Sequence, residues 1–315
     1  MKVLKLLLFT VLVVLLFFGA YWLVVRPSGV GGSDTSASGL RQMCIERIKA
    51  YGDSIAVCGW DDDYLTTAQV IVNAHRGDMP QSDVEQLEST LQSVFIAKID
   101  SLIHSCYGGS MSDGYIAPGS KLDRAYAGLE VLGNSYPTIK TSQRWFDLNS
   151  LKKAHNDIYA FGKRDFRQRS RIGIYTGWNG DTPYISINNV LNFKRYAAGV
   201  HTQLNELSTR RSRFPELTSS PWTSRALDKN DVDSRLASAR SEYISSEQNA
   251  VKRYIGSIMS DLHNHFNDKE RLSPENASTV INRLTAIETY LGENDIYVSG
   301  FDAVKSQIRR IYITQ

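Results

Sequence analysis

The densest run of groups able to do acid-base chemistry is Asp61-Asp62-Asp63, whose carboxylates are of the type that protonates or activates a glycosidic bond in a polymer. They stand directly before Leu65, Ala68, Val72 and His75 at helical spacing, where a helix dipole stabilises negative charge, so capping is the stronger expectation. Calcium is not expected, because the run lacks alternating oxygen ligands about a central glycine. Cys44, Cys58 and Cys106 show no metal-site spacing and have no nearby histidine pair, so no zinc centre is assigned. Cys44 and Cys106 fall on apolar helix faces. In an oxidising compartment one disulfide is expected between Cys58 and Cys106, because a helix from Ser82 should return antiparallel to one beginning near Asp62. His263 and His265 are two apart and point to different sides of a helix, while His155 is expected at the surface or boundary of its own. No phosphate-binding loop, dinucleotide fingerprint, nucleophile elbow or zincin helix is present in the sequence. The expectation is therefore of no catalytic residue, no cofactor and no metal.

Charge offers a second kind of chemistry. Between Tyr51 and Ile103 nine acidic residues face two basic ones, a net of −7, and between Lys140 and Arg171 nine basic residues face three acidic ones, a net of +6. Either the two segments touch, or the second is a basic surface. In the latter case Lys152, Lys153, Lys163, Arg164, Arg167, Arg169 and Arg171, together with Trp178 and Tyr184 of an adjoining hairpin, are the candidate binding residues for an anionic polymer or a lipid surface. A solvated face is the commoner fate of such a run. The whole chain carries only +3, too little to imply nucleic acid.

The elements that would position these residues are mostly helices. Leu40 to Tyr51 reads as an amphipathic helix stopped by Gly52; Ser82 with Glu85 reads as a capping box opening a helix to Tyr107; Ser120 opens another, stopped by Gly133. A further helix is expected from Asn149 to about Gln168. Ile172 to Trp178 and Thr182 to Ile187 alternate as strands about Asn179-Gly180, a strong hairpin signal. Helix resumes from Asn188 to Leu207. Residues 210–229 read as a loop at which the domain can be subdivided. From Asn230, Val232, Leu236, Ala239, Tyr243, Ala250, Tyr254, Ile258 and Leu262 recur at three- and four-residue steps, as in a bundle seam or a coiled coil that pairs with a second copy. Ser273-Pro274-Glu275 opens a helix ended by Gly292, and Phe301 to Ile311 suggests a last one.

Residues 6–25 are uncharged and apolar, long enough at about 1.5 Å per residue to cross a hydrocarbon core. Lys2 and Lys5 precede the span and Arg26 alone follows closely, which favours a cytoplasmic tail at 1–5 and an outside C-terminal domain. A cleaved signal fits less well, because the apolar run continues through Gly19-Ala20 into Tyr21-Trp22 without a small-x-small stop. Residues 26–39 read as a Gly/Ser tether and 40–315 as the folded part. The fold class expected is mainly α: a transmembrane helix, then an extracytoplasmic helical bundle with one small β-hairpin. The expected function is that of a single-pass, non-catalytic binding or scaffold protein of a cell envelope, by default a bacterial inner membrane, whose partner is another envelope protein or itself. The alternatives are an envelope hydrolase acting on cell-wall polymer and a basic-face binder of an anionic surface.

Overall fold

The computed structural model describes residues 36–315 apart from 109–110, 112, 168–172, 180–181, 189–191, 266–272, 294 and 311–315. The apolar stretch 6–25 lies outside the described residues, as does most of the tether. The described chain is mainly helical, and none of its helices is long and apolar enough to cross a membrane. Its described residues form two compact units, one within 36–106 and 116–146 and the other within 107–115 and 147–310.

The first unit begins with α1 (Ala37–Cys58), capped by the Ser36 hydroxyl, which accepts from the Gly39 amide. The helix therefore includes the last residues read as tether. Gly52, expected as a stop, is buried inside α1, because a Cβ there would come within 2.6 Å of a Val94 methyl. The stop is Gly59, at φ +93°, a conformation that favours glycine. In α2 (Asp62–Ala74) the carboxylates do what their position suggests: the Asp61 carboxylate accepts from the Asp63 amide, and Asp62 and Asp63 occupy the first turn. α3 (Gln81–Gly108) starts a residue before Ser82, and Glu85 accepts from the Gln81 side-chain amide. α4 (Lys121–Ser135) is capped as read, with the Ser120 hydroxyl accepting from the Asp123 amide. A 3-10 turn (Pro137–Thr141) follows. Ile48, Ile55, Leu65, Val84, Leu87, Leu91, Phe95, Ile99, Leu129 and Leu132 make the core of this unit. Two tryptophans are seated on helical glycines. A Cβ at Gly128 would fall 2.2 Å from the Trp60 ring, and one at Gly133 would fall 2.3 Å from the Trp145 ring. Gly133 is thus a socket inside α4 and not its end. The acidic and basic segments do touch here, through Arg144 and Asp100 at 3.2 Å.

α5 (Gln143–Lys163) leads into the second unit, where β1 (Gly173–Asn179) and β2 (Thr182–Asn188) pair antiparallel with Gly177 opposite Tyr184 and Trp178 opposite Pro183. α6 (Phe193–Arg211) is capped by Asn192. The stretch 210–229, expected as a loop, holds two short helices, α7 (Pro215–Ser219) and α8 (Pro221–Ala226), each with proline at its first position, where the missing amide proton costs nothing. α9 (Lys229–His265), α10 (Pro274–Glu293) and α11 (Phe301–Ile308) complete the unit. Val232, Leu236, Ala239 and Tyr243 of the long-helix seam are buried within it, so this part of the stripe is already covered. Between α9 and α10 the core turns polar. The Tyr290 hydroxyl donates to Glu247 at 2.9 Å and lies 2.8 Å from the Tyr243 hydroxyl, and Arg283 is buried two turns before Tyr290. Burial first, then the Tyr243 hydroxyl and the Glu247 charge, push the Tyr290 phenol far above its ordinary range.

Candidate functional site

A cleft of about 220 Å³ opens in the second unit between α5, α8 and the segment at Asp113. α5 contributes Tyr159, Gly162 and Lys163 at three- and four-residue spacing, and α8 contributes Trp222, Arg225 and Ala226 in the same way, so each helix turns one face to the cleft. The two backbones approach closely because Gly162 has no side chain; a Cβ there would lie 2.7 Å from that of Ala226. The short α8 is held from behind by Arg211, which donates to the carbonyls of Leu217 (3.3 Å) and Thr218 (2.9 Å) and to the Ser224 hydroxyl (2.7 Å). Thr223, fully buried, sets its hydroxyl against the carbonyls of Leu217 and Ser220.

Two aromatic groups stand at the cleft, one behind Tyr159 and one behind Trp222. Tyr115, half exposed, lies 6.0 Å from Tyr159 ring to ring; Trp222 lies 4.8 Å from His155, and His155 lies 5.5 Å from Tyr107. Lys163 sits over the Tyr159 ring at 5.8 Å, a cation-π contact at the cleft edge. Asp113, the only carboxylate lining the cleft among the described residues, accepts from the Tyr115 amide at 3.0 Å and so closes its own turn. The cleft thus has two cations, aromatic faces and one carboxylate engaged with backbone. The Trp222 indole N–H, in a residue 3 % exposed, meets no acceptor among the described residues, an omission that ordinarily costs about 1–3 kcal/mol.

His155 is fully buried, not at a boundary. Its Nε2 lies 2.8 Å from the Gly114 carbonyl, which can only accept, so Nε2 carries the proton and Nδ1 the lone pair. Burial lowers the affinity of the ring for a second proton, and the Gly114 carbonyl offsets this in part. Gly114 fits here because φ is +76° and because a Cβ would strike the Trp222 ring at 2.5 Å.

The structure does not gather the basic run into one face. Lys163 lines the cleft, whereas Arg164 turns to α6, donating to Gln203 at 2.9 Å beside a second groove that Asp157, Glu206 and Arg210 also line, with Asp157 paired to Arg210. Arg167 pairs with Glu242 at 3.4 Å. Lys153 is exposed and Lys152 half-buried on α5. Arg169, Arg171 and the side chains of Trp178 and Tyr184 lie outside the described residues. Asp61, Asp62 and Asp63 are exposed helix caps, and Asp62 also accepts from the Trp60 indole at 2.6 Å. The three cysteines are free thiols, so the Cys58–Cys106 bridge is not formed: the Cys58 thiol stands against the Tyr64 hydroxyl, while Cys106 lies by Ser105 and Lys121. Among the described residues no group of three or more histidine, cysteine or acidic side chains is placed to hold a metal. Sequence reasoning missed Trp222 and Arg225. Their signal was Pro221, a first-turn proline that marks a helix start directly before a tryptophan.

Comparison of the chain with known protein families, with curated proteins and with solved structures gives no match.

Proposed function

We propose that this protein is a membrane-tethered binding module of a cell envelope and not an enzyme. In this reading residues 6–25 form a single transmembrane helix with residues 1–5 in the cytoplasm, residues 26–35 give reach, and the helical part with its small hairpin lies outside. The observation that supports binding over catalysis is the make-up of the cleft: two cations and an aromatic wall, with its single carboxylate committed to a backbone turn. That is a recognition set without a nucleophile and base in reach of each other. The carboxylates put forward for an envelope hydrolase, Asp61 to Asp63, stand at the exposed start of α2, where Asp61 caps the helix. Because Val232, Leu236, Ala239 and Tyr243 of the long-helix seam are covered within the unit, the cleft is the surface we assign to a partner. A reporter active only outside the cytoplasm, fused after Gln315, should give signal; activity confined to a cytoplasmic reporter would reverse the topology.

A further inference from the structure

We propose that the groove between α5 and α6 binds a free α-amino acid in its zwitterionic form, at a site apart from the cleft assigned to a partner. α5 turns Tyr159, Gly162 and Lys163 to the cleft and, roughly half a turn round, Asp157 and Phe161 to the groove, so the two sites lie on opposite faces of one helix. Across the groove Asp157 pairs with Arg210, and Arg164, the residue after α5, with Gln203, so the two helices run antiparallel. Glu206 stands on the α6 wall one turn from each of Gln203 and Arg210. The groove encloses about 410 Å³, within the ~300–1,000 Å³ usual for small-molecule sites, and buried Phe161 and Leu207 give its lining an apolar part.

The lining charges select for two opposite charges on one ligand. Asp157 and Arg210 neutralise each other. That leaves Arg164 and Glu206, neither of which has an ion-pair partner among the described residues. Arg164 is already positioned: its Nη1 donates to the uncharged Gln203 at 2.9 Å, and its guanidinium lies 5.8 Å from the Phe166 ring and 5.6 Å from the Tyr196 ring. Its backbone carbonyl accepts from Arg235, which also donates to the Gly162 carbonyl at 3.2 Å. The N–H groups left over form the planar fork that a carboxylate takes bidentately. Glu206, exposed on the facing wall, accepts from an ammonium. A lone anion would meet Arg164 and be repelled by Glu206, and a lone cation the reverse. An amino acid answers both, and an apolar side chain on it has Phe161 and Leu207 to lie against.

The test is equilibrium dialysis of the full chain in detergent micelles against isotopically labelled L-leucine, N-acetyl-L-leucine and L-leucinamide. Leucine should bind saturably at one site per chain. Each derivative lacks one of the two charges and should bind at least about tenfold more weakly, the scale of one lost charge-assisted hydrogen bond. Glu206→Gln should weaken leucine about tenfold and erase its advantage over N-acetyl-L-leucine, and Arg164→Gln should weaken it likewise and erase its advantage over L-leucinamide. A merely structural role for either residue would lower all three ligands together. The comparison of the three ligands on the native chain needs neither variant to fold. No saturable binding of leucine, equal affinity of the native chain for leucine and either derivative, or an unchanged preference in either variant would each overturn the proposal. The cleft and the reporter at Gln315 play no part in these measurements, so failure of this site and failure of the reading above are separately visible.

Discussion

Trp60, Trp145 and Trp222, the tryptophans whose side chains are described, each sit on a glycine: Gly128, Gly133 and Gly114. This decides the sign of a substitution that helix propensity alone would get wrong. Alanine is favoured over glycine in a helix interior by about 1 kcal/mol, so Gly199→Ala, where nothing stands within 4 Å, should raise stability by about 0.5–1 kcal/mol. Gly128→Ala should lower it by about 1–3 kcal/mol, because the new methyl meets the Trp60 ring and the core is already full. Thermal denaturation of the pair checks both, and stabilisation by Gly128→Ala would remove the socket. His155 sets an acid limit. The folded state holds the ring neutral while the unfolded chain takes up a proton near pH 6.5, so the unfolded state binds more protons as pH falls below that value and stability drops. The rings packed on it are those of Tyr107 and Trp222. His155→Gln should flatten the fall in denaturation midpoint between pH 7 and 5, whereas an unchanged slope would assign the acid sensitivity elsewhere.

Among elements, the pairing of α9 with α10 turns on Tyr290, whose hydroxyl is shared between Glu247 and Tyr243 in a buried interface. Tyr290→Phe removes the donor to a buried carboxylate and should cost about 1.5–3 kcal/mol, more than the ~0.5–1.5 kcal/mol expected of Tyr243→Phe, with clear coupling in the double variant. Equal and additive losses would mean the network carries no shared bond. The helices themselves were legible, since Ser120, Asp61 and the Pro274 start are local signals read within one turn of the chain. Gly52 and Gly133 were read as stops because a glycine needed for close packing has the same sequence signature as one needed for a left-handed cap. Only the position of Val94 or Trp145, far along the chain, tells them apart. The cleft was hidden for the same reason: Asp113, Tyr159, Lys163 and Arg225 are brought together by tertiary packing, and no spacing within one helix announces it. Among the described residues, Lys163 alone of the sequence-chosen basic residues lines it.

At the scale of the whole chain, neither unit carries a large net charge. Residues 36–106 with 116–146 carry nine basic and twelve acidic residues, and residues 107–115 with 147–315 carry twenty-four basic and twenty acidic ones, so neither unit is basic enough to hold a surface by itself. In the proposed reading, attachment comes from the uncharged stretch 6–25. Fractionation of cells making the full chain, with an alkaline wash of the membranes, is the direct measurement. The chain should remain in the washed pellet, and Leu15→Arg with Leu16→Arg, each costing about 2.5–3.5 kcal/mol at the centre of a spanning helix, should release it to the soluble fraction. A full-length chain that washes off the membrane, or a doubly substituted one that stays, would contradict a single apolar span as the tether of the proposed binding module.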